Sequence, residues 1–117
     1  MIQSYIKEDL IVVYITVPTL EKARRIATSL IEKKLAACVS IIPNIISVYS
    51  FKGTKEEYEE EQLQVKTRSS LFNEVLEEIK KIHPLSLPEF FSVKIDQASP
   101  EYAAWLNQEI DSNVVKS

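Results

Sequence analysis

Glycine occurs once in 117 residues, at Gly53. Nucleotide-binding loops and dinucleotide folds need several glycines so that backbone amides can approach phosphates closely, and both classes are excluded. Cysteine, histidine and methionine also occur once each, as Cys38, His83 and Met1. A lone cysteine forms no intrachain disulfide, and the opening MIQSYIKEDL lacks the basic, then apolar, then small-residue order of a secretory leader. The expectation is a reducing compartment, the cytoplasm. No apolar run approaches the ~18 residues of a membrane helix, so no membrane insertion is expected. A net charge of −3, with acidic residues concentrated in 56-EEYEEE-61, offers no attraction for phosphate backbones, and no nucleic-acid partner is expected.

What is present is enough apolar material, 45% of residues, to build one core without disulfides or a metal. A single domain over residues 1–117 is expected, with its core at about 10–110. The run 10-LIVVYITV-17 is β-branched and ends at Pro18, as a first strand would. Thr19 can cap a helix in which Ala23, Ile26, Ala27, Leu30 and Ile31 form one apolar stripe. Residues 38–51 favour β structure again, and after a turn at Gly53 and an acidic stretch the alternation of 62-QLQVKT-67 completes a long hairpin. Ser69 or Ser70 can cap a second helix with Leu71, Phe72, Val75, Leu76, Ile79 and Ile82 on one side, ending near His83-Pro84. A fourth strand is expected at 90-FFSVKID-96. Ser99-Pro100 then opens a last helix bearing Tyr102, Trp105, Leu106 and Ile110.

The order β-α-β-β-α-β plus a terminal helix is that of the α+β ferredoxin-like, split βαβ sandwich. Right-handed crossovers put strands one and three in the centre. Pro43, lacking an N–H, suits an edge or a bulge in strand two. Two helices cover one sheet face, leaving the other open. Alternation assigns Leu63, Val65 and Thr67 to the covered side, with Phe91, Val93 and Ile95, and Gln62, Gln64 and Lys66 to the open side. The far half of strand two, 45-IISVYSF-51, would project beyond the core with an apolar surface and an unpaired edge, so a closed homo-oligomer assembled through the hairpin is expected.

The segments 13-VYITVP-18, 35-LAACVSIIPNIISVY-49, Gly53, 66-KTR-68, 83-HP-LSLPE-89 and Tyr102, Trp105, Leu106, taken in order, resemble the CutA divalent-cation tolerance family. The resemblance implies a homotrimer, PII-like in architecture, with hairpins wrapping neighbouring subunits. It further implies a non-enzymatic role in divalent metal ion tolerance, with copper or another divalent cation bound. Its recurring positions are matched by Cys38, Pro43, Tyr49, Gly53, Glu60, Lys66, Thr67, His83, Pro84, Pro88 and Trp105. Ser40, Asn44, Ser50, Phe51 and Leu85 depart from the usual pattern, and Asn44 still tolerates a left-handed backbone.

On this reading the metal candidates are Cys38, His83 and Glu60, and an intersubunit cleft would hold Tyr49, Lys66, Thr67 and Trp105. Each has a plainer alternative. Cys38 can be a small buried hydrophobe, and His83 can close the second helix as a cation on its dipole. Glu60 can belong to a solvated hairpin surface, Lys66 can be an exposed lysine, and Trp105 can simply pack the last helix. No CxxC, HxxxH or HExxH spacing exists, so a complete site would draw on several subunits or on carboxylates. Two further readings are a PII-like sensor taking a small anion near Lys66, and a trimeric scaffold for another protein. No base or orienting acid accompanies Cys38 or the serines, so catalysis is not expected.

Overall fold

A computed structural model describes residues 9–83 and 89–115. Strand β1 (Leu10–Val17) leads to helix α1 (Leu20–Glu32), then to the hairpin strands β2 (Cys38–Phe51) and β3 (Thr54–Arg68). A 3-10 turn (Ser69–Leu71) precedes helix α2 (Phe72–Ile82), followed by β4 (Phe90–Lys94) and α3 (Pro100–Val115). The sheet order is β2-β3-β1-β4 with every pairing antiparallel, so strands one and three are central as the crossover rule requires.

The covered face follows from alternation in β1. Ile11, Val13, Ile15 and Val17 are buried while their neighbours are only partly so, and they meet Leu63 and Val65 of β3. Ala23, Ile26 and Leu30 of α1 and Val75 and Ile79 of α2 close the same cluster. Each fully buried Val, Leu or Ile here stabilises by roughly 1.5–3 kcal/mol relative to exposure. Ile31, expected in the stripe, is exposed instead, because it lies at the stripe's margin one residue beyond Leu30.

The helix ends show local chemistry at work. Thr19 Oγ1 accepts from the Lys22 amide at 3.1 Å, and Ser99 Oγ accepts from the Tyr102 amide at 3.1 Å, as the two caps predicted. Neither Ser69 nor Ser70 caps α2; the 3-10 turn carries the chain into Leu71, which has no side-chain cap bond. Helix α1 ends in a Schellman arrangement, Leu35 N–H to Leu30 C=O at 2.9 Å and Lys34 N–H to Ile31 C=O at 3.1 Å. The left-handed position, usually glycine, is Lys34 with φ 59°.

The hairpin is longer than alternation alone indicated. β3 begins at Thr54, so the acidic stretch is itself a strand, laddered against Ile45 to Phe51. Lys52 (φ 52°) and Gly53 (φ 81°) form a two-residue turn with both residues left-handed, the geometry that suits a tight hairpin. The register shifts between Ile42 and Ile45, placing Pro43 in a bulge as expected; Asn44 adopts φ 61° and its amide donates to Glu61 Oε1 at 3.2 Å. β1 pairs β3 only as far as Glu61, so among the described residues the distal hairpin is a two-stranded ribbon with no third strand. It makes the chain 52 Å long and 22 Å thick.

Strand β4 corrects the expected facing. Val12 pairs Val93 and Tyr14 pairs Phe91, so Phe91 and Val93 share the open face with Tyr14, and Ser92 and Lys94 lie opposite the covered-face residues Val13 and Ile11. Phe90 is the residue that reaches the core, its ring 4.9 Å from that of Phe72. The strand stops at Lys94, leaving Ile95 and Asp96 outside it.

Candidate functional site

The open face can be written as rows running across the ladders. Cys38, Lys66, Val12 and Val93 form one row, Ser40, Gln64, Tyr14 and Phe91 the next, and Ile42, Gln62 and Thr16 the third. Its β2 and β3 half is polar: Lys66 Nζ donates to Ser40 Oγ at 2.6 Å, and Gln64 Nε2 donates to Gln62 Oε1 at 3.1 Å. Its β1 and β4 half is apolar and uncovered, with Phe91 45% and Val93 52% exposed and the Phe91 ring 5.3 Å from Tyr14.

Helix α3 partly roofs this face. Leu106 and Ile110 are buried yet belong to no part of the cluster beneath α1 and α2, and Tyr102 lies within electrostatic reach of Cys38. Burial, with that neighbour, raises the Tyr102 phenol above its ordinary pKa. Leu106 and Ile110, rather than Trp105, carry the packing; the Trp105 ring is 42% exposed, 5.9 Å from that of Tyr102. The Oδ1 of Asn107 is buried with no hydrogen-bond partner among the described residues, an acceptor left open in a single chain.

The metal candidates are not brought together within one chain. Cys38 is half-buried and free at the Lys66 end of the sheet. Glu60 lies six residues along β3 from Lys66, roughly 20 Å at ~3.3 Å per residue, so the two share a face without forming a pair. His83 is at the end of α2, half-buried, with burial first and the Lys22 charge second lowering its pKa. The imidazole is thus held toward its neutral form, which fits a ligand better than a cation on the helix dipole. No cluster of three or more His, Cys, Asp or Glu side chains that could hold a metal occurs among the described residues. The donor types suit copper, but one subunit does not assemble them.

The cleft candidates divide. Lys66 reaches the open face, whereas Thr67 does not: it is fully buried on the covered side, where its hydroxyl donates to the Leu35 carbonyl at 2.7 Å and ties the end of α1 to β3. Tyr49 is on the distal hairpin, its ring stacked 5.9 Å from Tyr58, which donates to Glu56 at 3.1 Å. Burial, then Glu60, then Glu56 raise the Tyr49 phenol. Glu89, at the entry to β4, is raised first by burial and then by Glu60, which brings those two carboxylates near each other. Pro84, Leu85 and Pro88 fall outside the described residues.

A further polar centre joins the two helices on the covered side. Glu78 is buried; Ser29 Oγ donates to its Oε2 at 2.6 Å, Lys33 Nζ lies 2.9 Å from Oε2 and Lys81 Nζ 3.3 Å from Oε1. The Ser29 hydrogen bond, then Lys33, lower its pKa to about 2 against the opposing effect of burial. Sequence reasoning missed this residue, although its position three after Val75 and four before Ile82 places it in the apolar stripe of α2.

The family model for the CutA1 divalent ion tolerance protein matches residues 11–109. The chain is 42% identical over 103 residues to a Xenopus laevis protein named Protein CutA homolog, covering 88% of this chain and 68% of that one. It is also 42% identical over 97 residues to the Divalent-cation tolerance protein CutA of Thermus thermophilus, covering 83% and 94%. A solved structure described as the divalent cation tolerance protein of Thermus thermophilus superposes with a TM-score of 0.82 at 41% identity, covering 86% of this chain and 97% of that one.

Proposed function

The chain belongs to the CutA1 divalent ion tolerance family, and on that footing we propose that it acts as a non-enzymatic homotrimer in divalent metal ion tolerance, binding copper weakly through groups contributed by more than one subunit. The observation that carries the reading is the uncovered apolar surface of the single chain. Ile46 is 61% and Val48 57% exposed on a two-stranded ribbon, and Phe91 and Val93 are exposed on the open face. An isolated ribbon of this kind is marginal in water, and packing it on a neighbour removes both the apolar exposure and the free edge.

A copper site would draw its ligands from more than one subunit, because the described residues of one chain hold no cluster of three or more His, Cys, Asp or Glu side chains. The lone free cysteine is compatible with the cytoplasm. Calorimetry with copper at neutral pH tests the metal reading: Cys38→Ala and His83→Ala should each weaken binding, and unchanged titrations in both would remove it. A second reading, a PII-like sensor for a small anion, is favoured by one contact. The Lys66 ammonium is held on the open face by Ser40, where a cleft anion could meet it. Lys66→Met abolishing binding of a dicarboxylate probe without altering the copper titration would support that reading over the first.

A further inference from the structure

The outer side of the helical layer carries a pair of exposed arginines on α1. Arg24 and Arg25 are adjacent and exposed on α1, with Thr28 and Ser29 one turn on and Ile82, the last residue of α2, alongside. Together with Glu32 these residues line one open groove of about 410 Å³. Among the described residues, no ion pair or hydrogen bond engages either guanidinium; the ion pairs there join Lys33 and Lys81 to Glu78, Lys80 to Glu77 and Lys94 to Asp9. The one carboxylate among the groove's lining residues is Glu32, while Glu78 nearby is held by Ser29, Lys33 and Lys81.

We propose that this groove between α1 and the end of α2 is a binding site for a phosphomonoester, the phosphoryl group taken by Arg24 and Arg25 and the organic part laid along Ile82. Two planar guanidinium forks match the geometry of phosphoryl oxygens, which a pair of lysines would meet only as point charges. Thr28, one turn beyond Arg24, is exposed and adds a hydroxyl donor; the Ser29 hydrogen is committed to Glu78, so Ser29 offers only acceptor capacity. Glu32 sits seven residues beyond Arg25, roughly 10 Å along the axis at ~1.5 Å per residue, and confines the dianion to the arginine end. The site is independent of the metal reading. It uses no residue of the open face or the hairpin and stands on the opposite side of the sheet.

The test is a titration of the full chain with inorganic phosphate and with phenyl phosphate, followed by NMR shifts of the arginine Nε–H and the Thr28 amide. Both probes should shift these resonances, phenyl phosphate at several-fold lower concentration because its ring covers Ile82. The variant Arg24→Gln/Arg25→Gln, whose changes are exposed and should leave the circular dichroism spectrum intact, should weaken binding about tenfold or more, as expected for the loss of charge-assisted bonds. Arg24→Lys/Arg25→Lys should fall between the two, and Lys80→Gln should match the parent. A Thr28 amide shift that persists unchanged in the double Gln variant, or no shift at millimolar probe in the parent, overturns the site. Equal affinity for the two probes overturns the ester assignment.

Discussion

The two faces of this sheet are made of the same strands and obey different rules. On the covered face every residue of β1 and the inner half of β3 has its partner within the chain: Val13, Ile15, Leu63 and Val65 are fully buried beneath α1 and α2. On the open face α3 shields only part of the surface, and Phe91 and Val93 remain exposed; on the distal hairpin Ile46 and Val48, which pair with Glu59 and Glu57 beyond the bulge, are exposed as well. The lesson is that one chain completes its core on one side only. The same composition that folds the domain on one face leaves apolar side chains exposed on the other.

Breaking the covered face should have the largest effect. Val65→Asp places an unpaired carboxylate among fully buried side chains and should cost about 4 kcal/mol or more, leaving no cooperative unfolding transition in urea. Charging the other region should act differently. Ile46→Glu with Val48→Glu, both exposed in the single chain, should preserve the helical signal by circular dichroism while reducing the mass in solution to that of one chain. Loss of the fold in this double variant would erase the distinction between the covered core and the exposed hairpin.

The helix clamp gives a smaller effect confined to the covered side. Because the Glu78 pKa is depressed to about 2, its contribution is present above the ordinary carboxylate pKa and is lost as the pH falls from about 4.5 toward 2. A shift of that size sets a ceiling of roughly 3 kcal/mol, but its lysine partners are half-exposed or more, so Glu78→Gln should cost about 1–2 kcal/mol at pH 7. The gap between variant and parent in urea midpoint should close in that acid window. Smallest is Lys34→Gly at the left-handed end of α1, which should raise stability by about 0.5–1 kcal/mol through relief of the backbone, seen as a higher midpoint at unchanged slope.

The sequence made the covered face legible because its signals agree: period two in β1, period near 3.6 in α1 and α2, and hydroxyl caps at Thr19 and Ser99. β4 was misread for a physical reason. In 90-FFSVKID-96 two adjacent phenylalanines allow either facing, and the polarity rule assumes that an uncovered face is polar, whereas here its β1 and β4 half is apolar. Pro43 and Asn44 announced the bulge through their backbone limits, yet the carboxylate that satisfies the Asn44 amide, Glu61, is 17 residues away and was hidden in an acidic run. Thr67 was assigned to a cleft from its family position, although alternation in β3 already set it beside Val65 on the covered side. The metal candidates were legible as residue types but not as a site, since Cys38 and Glu60 lie far apart along the same sheet.

The mass of the unmodified protein in solution at micromolar concentration, by light scattering or native mass spectrometry, tests the central claim most directly. The account predicts three times the 13.4 kDa of one chain. A stable, well-folded species of 13.4 kDa would contradict it, because the hairpin and the open face would then stand in water with nothing to cover them.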